Sequence, residues 1–334
     1  MIEPRITLYC ENYNALKGSG MGVAFERQKN ILLEQNIFFT EDLSIPTNIF
    51  QANTPGLRTL WLMKKFKKQN KKIIIYAHVV AEQFEDGSFR FLSPLKPLIK
   101  KYFSYIFNLA DLVICPSEYT ARLLNENYDI AKEKTVAISC GVDIHKFQWN
   151  EYKREEFRKK YVIKKKDLLI INTAMAIRRK GIDTFIKMSE LFPDIKFIWA
   201  GKKYKFLAKK VPSHPDNAQF IGLISDVATA YSAADILLYP SYQETQGLSP
   251  LEAASVRLPI IVRNLPVYND WLIDGQNCLK AKNDEEFREC IEKMANDGEL
   301  RKKLGQRARL SVIEKHSFEA IGNQLKETYN QLLN

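Results

Sequence analysis

Short apolar runs recur along the chain, each bounded by turn-forming or charged residues. They are too short for helices and rich in Ile, Val and Leu, the pattern of strands buried on both faces of a parallel sheet. In the first half they occupy residues 5–10 (RITLYC), 72–78 (KIIIYAH), 111–115 (DLVIC) and 135–138 (TVAI). In the second half they occupy 168–171, 195–200, 218–221, 236–239 and 260–262. Helix-length segments such as 24–36, 183–191 and 226–233 separate them. Strands alternating with helices predict two βαβ arrays, an α/β chain of two doubly wound, Rossmann-like halves.

The clearest unit is 236–261, ILLYPSYQETQGLSPLEAASVRLPII. An apolar strand leads through a polar, glycine-containing turn into a helix opening at Ser249-Pro250, then into a second strand. Ser249 is placed to cap that helix and Pro250 suits its first position, which leaves the amides near Gly247 and Leu248 to face an anion. Glu244 and Glu252 flank them. Ser249-x-x-Glu252 equally fits a capping box, with Glu252 bonding back to the Ser249 amide, and Glu244 alone reads as a solvated loop residue. Spacing leaves these alternatives open.

Other sites follow strand ends. Lys17-Gly18-Ser19-Gly20-Met21-Gly22 joins the first strand to a helix as a glycine turn, but with G-x-G-x-G spacing that disfavours a nicotinamide site. His78 ends its strand at the carboxyl edge, where ligands of open α/β sheets bind. Ser117 and Thr120, after Pro116, are expected to cap a helix.

Composition bounds the rest. The 334 residues predict two domains, and 46% hydrophobic with 27% charged residues is ordinary for globular chains. The start MIEPRITLYC lacks a signal-peptide pattern, and no segment approaches the ~20 apolar residues of a membrane span, so a cytoplasmic protein is expected. Five scattered cysteines without a C-x-x-C pair predict neither a disulfide framework nor a zinc site. A net charge of +11 asks for an anionic partner. Six lysines lie at 61–72 among Trp61, Leu62, Met63 and Phe66, and four more cations at 90–107 (Arg90 to Phe107) among Phe91, Leu98 and Phe103. Such interleaving suits a surface lying on anionic lipid, or else an amphipathic helix with a lysine-rich solvent face. No nucleic-acid-binding motif accompanies it, so no nucleic-acid partner is expected. The charged segment 149–166 reads as a solubilising, solvent-facing helix that begins the second half.

ETQGLSPLE resembles the E-x7-E segment of the retaining GT-B glycosyltransferases of family 4. Further motifs occur in family order: the glycine loop, His78, the Pro116-Ser117 turn, Cys140-Gly-Val-Asp143 with Cys replacing the usual Asn, and Lys180-Gly181. The resemblance implies Glu244 near a donor sugar, the Gly247 and Leu248 amides on a diphosphate, and Glu252 on the ribose. It also implies backbone contacts to the nucleotide at Gly201 and Gly222, approach of the Gly18, Gly20 and Gly22 loop to donor and acceptor, and His78 as a positioning hydrogen-bond donor. Lys180 would neutralise the leaving diphosphate. The family's second cation has no match at Ala174 or Met175, so Arg179, or else Arg178, is its expected replacement. Arg257 stands where the family usually has Gly.

The implied fold is GT-B, with 1–150 as an acceptor- and membrane-facing domain and 151–316 as the nucleotide-sugar-binding domain. The helix at 317–334 would cross back to the first. No D-x-D motif appears, and no metal or cofactor beyond the nucleotide-sugar donor is implied. The likeness to glycolipid enzymes implies a retaining hexosyl transfer, from UDP-glucose or UDP-galactose to an acceptor such as monoglycosyl diacylglycerol, by a protein peripheral on the inner membrane face. Two alternatives remain open on sequence: a capsule or cell-wall polysaccharide enzyme with a polyprenyl-linked acceptor, and a non-catalytic membrane- or nucleic-acid-binding scaffold.

Overall fold

The computed structural model describes residues 2–84, 94–202 and 212–334, so Arg90 and Phe91 lie outside the described residues. The chain divides into two compact units. One holds the chain up to Gly141 together with His316–Asn334, and the other is built on Val142–Lys315.

The first unit carries a six-stranded parallel sheet of β1 (Arg5–Tyr9), β2 (Phe38–Thr40), β3 (Ile49–Ala52), β4 (Lys72–Tyr76), β5 (Leu112–Cys115) and β6 (Thr135–Ala137), in the order β2-β1-β3-β4-β5-β6. Its helices are α1 (Tyr13–Leu16), α2 (Gly20–Glu34), α3 (Leu57–Lys67), α4 (Lys96–Leu109) and α5 (Glu118–Asn127). β2 and β3 were not anticipated. β2 is a three-residue edge strand, and β3 holds Gln51 in an otherwise apolar run. That glutamine is fully buried, and its Oε1 accepts a hydrogen bond from the Tyr329 hydroxyl at 2.9 Å. Ser117 caps α5 as expected, its hydroxyl accepting from the Thr120 amide at 3.1 Å.

The second unit repeats the architecture with β7 (Leu169–Thr173), β8 (Lys196–Ala200), β9 (Ala218–Gly222), β10 (Ile236–Tyr239), β11 (Ile260–Arg263) and β12 (Leu279–Ala281). The order β12-β11-β10-β7-β8-β9 is the doubly wound dinucleotide-fold order, reversing direction between β7 and β10. The helices are α6 (Glu151–Lys160), α7 (Ile182–Leu191), α8 (Val227–Ala233), α9 (Leu248–Ser255), α10 (Asp284–Asn296) and α11 (Gly298–His316). The final helix, α12 (Phe318–Leu333), is capped by Ser317 and belongs to the first unit, where it packs on α2.

Val142–Trp149 joins the second unit through Phe147, whose carbonyl accepts from Ser255 Oγ at 2.9 Å and whose ring lies 6.2 Å from that of Tyr231. The solubilising reading of α6 needs correction. Arg154 Nη1 donates to the carbonyls of Ser232, Ala233 and Ala234 at the end of α8, and Arg154 and Arg158 both pair with Asp235, at 2.8 and 2.6 Å. A charge pattern cannot separate a solvated arginine from one that caps a neighbouring helix's C-terminus.

The basic apolar stretches also divide. Phe66 and Phe103 are buried in the core beneath α3 and α4 rather than presented to the outside. Trp61 and Leu98 are 59% and 65% exposed, beside Leu57 at 76% and Tyr105 at 50%. Lys67 is drawn off to the Leu109 carbonyl at 2.7 Å and to Asp111, and Lys71 to Thr47. Lys64, Lys65, Lys68 and Lys101 are exposed, and Lys64 Nζ lies 5.2 Å from the centre of the Tyr105 ring, which joins the two helices in one surface. All five cysteines are free. Among the described residues no helix is long and apolar enough to cross a membrane.

Arg257 shows why glycine is usual at its position. It follows α9 with φ +65°, while Leu258 N reaches Ala253 O and Arg257 N reaches Ala254 O, both at 3.0 Å, completing a Schellman motif. Its side chain is exposed and its charge opposes Arg309. Arg257→Gly is therefore expected to raise stability by about 1 kcal/mol, read as a higher thermal midpoint with unchanged activity.

Candidate active site

The sheet of the second unit reverses direction between β7 and β10, so a crevice is expected outside the carboxyl ends of these strands. Two loops meet there. The loop after β7 ends in a 3₁₀ turn, Arg178–Lys180, and Gly181 at φ +77°. A Cβ at Gly181 would stand 2.3 Å from the Pro240 carbonyl, so only glycine allows the loop after β10 to approach. The Arg179 carbonyl then accepts from Tyr242 N at 2.8 Å, with Ser241 Oγ 3.1 Å away.

This contact brings Lys180 onto Glu244. Lys180 Nζ bonds Glu244 Oε1 directly and donates to the Tyr239 hydroxyl at 3.0 Å. The same carboxylate oxygen accepts from Tyr239 at 2.8 Å and Ser241 at 2.7 Å. Arg179 stands 4.0 Å from Glu244 Oε2 and donates to the Gln243 carbonyl at 2.7 Å, whereas Arg178 is exposed. The Lys180 and Glu244 side chains are only 12% and 6% exposed. Burial pushes the Lys180 ammonium down to about 8, with Glu244 opposing and Arg179 reinforcing the fall. Burial alone would raise the Glu244 carboxyl, but Lys180 and Arg179 outweigh it and hold it below its ordinary value. Glu244 is thus an ionised, buried carboxylate, not the solvated loop residue its spacing also allowed.

α9 begins two residues earlier than expected, at Leu248, with Gly247 as its cap at φ 85° and no capping side chain. Ser249 therefore does not cap the helix, and the alternative of a Ser249–Glu252 capping box falls with it. Ser249 lies inside the helix and its hydroxyl donates to the Thr173 carbonyl, fastening α9 to the end of β7. Glu252 is buried and accepts from the Tyr231 hydroxyl at 2.8 Å. That phenol gives its single proton to the carboxylate, so Thr173 Oγ1 donates to the phenol oxygen in turn. An uncapped helix N-terminus beside two cations and one carboxylate favours an anion.

Gly201 and Gly222 stand at the ends of β8 and β9, where Gly201 N donates to the Gly222 carbonyl at 2.8 Å. A Cβ on Gly201 would come 1.7 Å from the Ala174 carbonyl, so this glycine is fixed by close packing of the loop after β7. Gly222 is open, at φ +78°.

The remaining expected residues belong to the first unit. Gly18 alone of its loop has positive φ, while Gly20 and Gly22 form the first turn of α2, capped by Ser19. Gly22 is needed because a Cβ there would meet the Leu16 carbonyl at 2.3 Å. His78 is buried, with Nε2 3.3 Å from Asn53 Oδ1 and Nδ1 3.9 Å from Cys140 Sγ. Asn53 Nδ2 donates to Gln28 Oε1, so Asn53 Oδ1 accepts the Nε2 proton and Nδ1 faces the thiol as acceptor. Burial lowers His78 to about 4 and pushes Cys140 up to about 12, leaving a neutral imidazole against a protonated thiol.

Sequence reasoning missed Tyr231, Tyr239, Ser241 and Thr173, which orient both glutamates. For Tyr239 the signal is a tyrosine ending an apolar strand at the carboxyl edge, masked because the ring reads as core, whereas Tyr231 lies on α8 and meets Glu252 only through the fold.

Residues 153–311 match the family described as Glycosyl transferases group 1, and residues 47–146 match Glycosyltransferase Family 4. The processive diacylglycerol alpha-glucosyltransferase of Acholeplasma laidlawii is 30% identical over 337 residues, covering 98% of each chain. The alpha-galactosylglucosyldiacylglycerol synthase of Streptococcus pneumoniae (strain ATCC BAA-255 / R6) is 28% identical, over 91% of this chain and 83% of its own. Among solved structures, Anabaena Alr3699/HepE in complex with UDP-glucose superposes with a TM-score of 0.78 at 14% identity, over 98% of this chain and 100% of that one. The fold and a relative spanning nearly the whole chain lead to one assignment: the chain belongs to the GT-B glycosyltransferases of family 4.

Proposed function

We propose that the chain moves a hexose from a UDP-sugar to a membrane glycolipid such as monoglycosyl diacylglycerol, with retention at the anomeric carbon. The observation that carries the donor reading is the buried Lys180–Glu244 pair, with Arg179 beside it and the uncapped start of α9 in the same crevice. As the sugar–oxygen bond breaks, its electron pair passes to the diphosphate. Lys180, Arg179 and the amides at Gly247 and Leu248 stabilise that charge without reorganising. The acceptor hydroxyl attacks from the leaving-group face and gives its proton to the departing phosphate oxygen. Glu244 is a poor nucleophile, since its Oε1 already accepts from Lys180, Tyr239 and Ser241. Its role is to hold a sugar hydroxyl through Oε2. His78, neutral and fixed by Asn53, contributes a positioned ring rather than a base.

The acceptor reading is supported by the diacylglycerol glycosyltransferases among the relatives and by the exposed Leu57, Trp61, Leu98 and Tyr105 set among lysines. Basic and apolar groups together suit peripheral binding to an anionic bilayer. Purified protein should therefore transfer hexose from UDP-glucose or UDP-galactose to monoglycosyl diacylglycerol in anionic vesicles, with an α-linked product by NMR. Transfer only to polyprenyl-linked sugars would replace the acceptor by that of a polysaccharide enzyme, and a β-linked product would overturn retention.

Glu252 is assigned the donor ribose. Glu252→Gln keeps an acceptor for Tyr231 but weakens charge-assisted bonding to ribose hydroxyls. Donor affinity should fall about tenfold, while the thermal midpoint barely moves. Titration calorimetry with UDP reads the first and unfolding the second; unchanged UDP affinity would return Glu252 to a purely structural role.

A further inference from the structure

The hydroxyl of Tyr268 is a buried donor that stands outside the bonds made by Lys180, Glu244 and Glu252. Tyr268 lies in a 3₁₀ turn, Pro266–Tyr268, after β11, and its side chain is fully buried. Its hydroxyl has no hydrogen-bond partner among the described residues. The neighbouring Tyr239 differs, since its hydroxyl accepts from Lys180 and donates to Glu244. Burying a phenol without a partner is unfavourable, and phenylalanine would fill the same space without that penalty. The position of the hydroxyl gives the reason to keep it. A Cβ built on Gly247 would stand only 3.1 Å from the phenol oxygen, so the hydroxyl lies directly against the glycine that opens α9, at the anion-favouring start of that helix. Glu244 and Arg179 are close enough for their charges to act on the phenol.

We propose that Tyr268 is a specificity-determining residue whose hydroxyl bonds a hydroxyl group of the donor hexose, on the sugar side of Gly247. This rests on the donor site proposed above and goes beyond it, because it names the group that reads the sugar. A site built to bond a substrate hydroxyl penalises a sugar that fails to supply one there, as the phenol is then left unpaired. Glu244 accepts from the hexose and Tyr268 presents an O–H, so the two together fix which face and which epimer fits.

The test is Tyr268→Phe, with Tyr239→Phe alongside. In Tyr268→Phe the thermal midpoint of the free protein should stay level or rise, because an unsatisfied group is removed. Tyr239→Phe should lower it, because satisfied bonds are lost. Affinity for the preferred UDP-hexose should fall about tenfold in Tyr268→Phe, discrimination between UDP-glucose and UDP-galactose should narrow, and affinity for UDP alone should be unchanged. Wild-type affinity for the UDP-hexose in Tyr268→Phe overturns the inference, leaving the donor site intact. An equal loss for UDP and UDP-hexose overturns it too, since the contact would then lie on the nucleotide. Failure of the wild-type protein to bind either nucleotide would instead sink the donor reading on which the inference rests.

Discussion

Lys180→Ala is expected to lower turnover on the order of 10²-fold or more, the usual consequence of removing a preorganised charge partner from a developing anion. The effect should fall mainly on kcat, because diphosphate charge grows as the bond to the sugar breaks. The variant should also lose stability, by about 1–3 kcal/mol, because Glu244 stays buried with Tyr239, Ser241 and the more distant Arg179 but without its ammonium partner. The pH dependence carries an independent mark. With Lys180 near 8 in the free protein, kcat/KM should fall as pH rises through about 8, because the neutral amine no longer stabilises phosphate charge. Stability moves the other way. The folded value lies below the ordinary lysine value of 10.5, so between about 8 and 10.5 the unfolded chain binds more protons and stability rises with pH. A pH–rate profile alongside thermal unfolding reads both slopes. Full activity in Lys180→Ala, with the loss appearing in Arg179→Ala, would transfer the role to the neighbouring cation.

Reversing Lys64, Lys65 and Lys68 to Glu is expected to lower partitioning onto anionic vesicles on the order of 10²-fold. Each cation near such a surface contributes about 1 kcal/mol, and reversal adds repulsion to the loss. Lys67 is left in place because its ammonium already serves the Leu109 carbonyl and Asp111, so changing it would damage the fold. UDP affinity should be unaltered, since these lysines belong to a different compact unit from Lys180 and Glu252. Sedimentation with vesicles of rising anionic content gives the partition coefficient, and added salt should weaken the wild type towards the variant. What salt does not remove is the apolar share from Leu57, Trp61, Leu98 and Tyr105. Undiminished cosedimentation of the triple variant would make this face an ordinary solvated one.

The sequence by itself determined the sheets. Runs such as KIIIY and ILLY can only be strands covered on both sides, and their alternation with amphipathic segments leaves little but two doubly wound halves. It also identified the loop from Glu244 to Glu252, because a glycine turn between a buried strand and a helix is a local pattern. The edge strand β2 escaped because its residues are not buried, β12 because Lys280 breaks its short run, and β3 because Gln51 interrupts its apolar run. Tertiary structure alone decided what each polar group does. Ser249 and Glu252 fit a capping box on spacing, yet the hydroxyl reaches Thr173 and the carboxylate Tyr231, on elements separate in sequence. Lys180 and Glu244 lie far apart along the chain and meet because Gly181 lets the backbone of Pro240 come close. Phe66 and Trp61 look alike in a basic amphipathic stretch, but the turn of α3 buries one and exposes the other. Periodicity records which positions leave water, a property of each segment alone; which partner a buried polar atom finds depends on the neighbouring segments that fold over it.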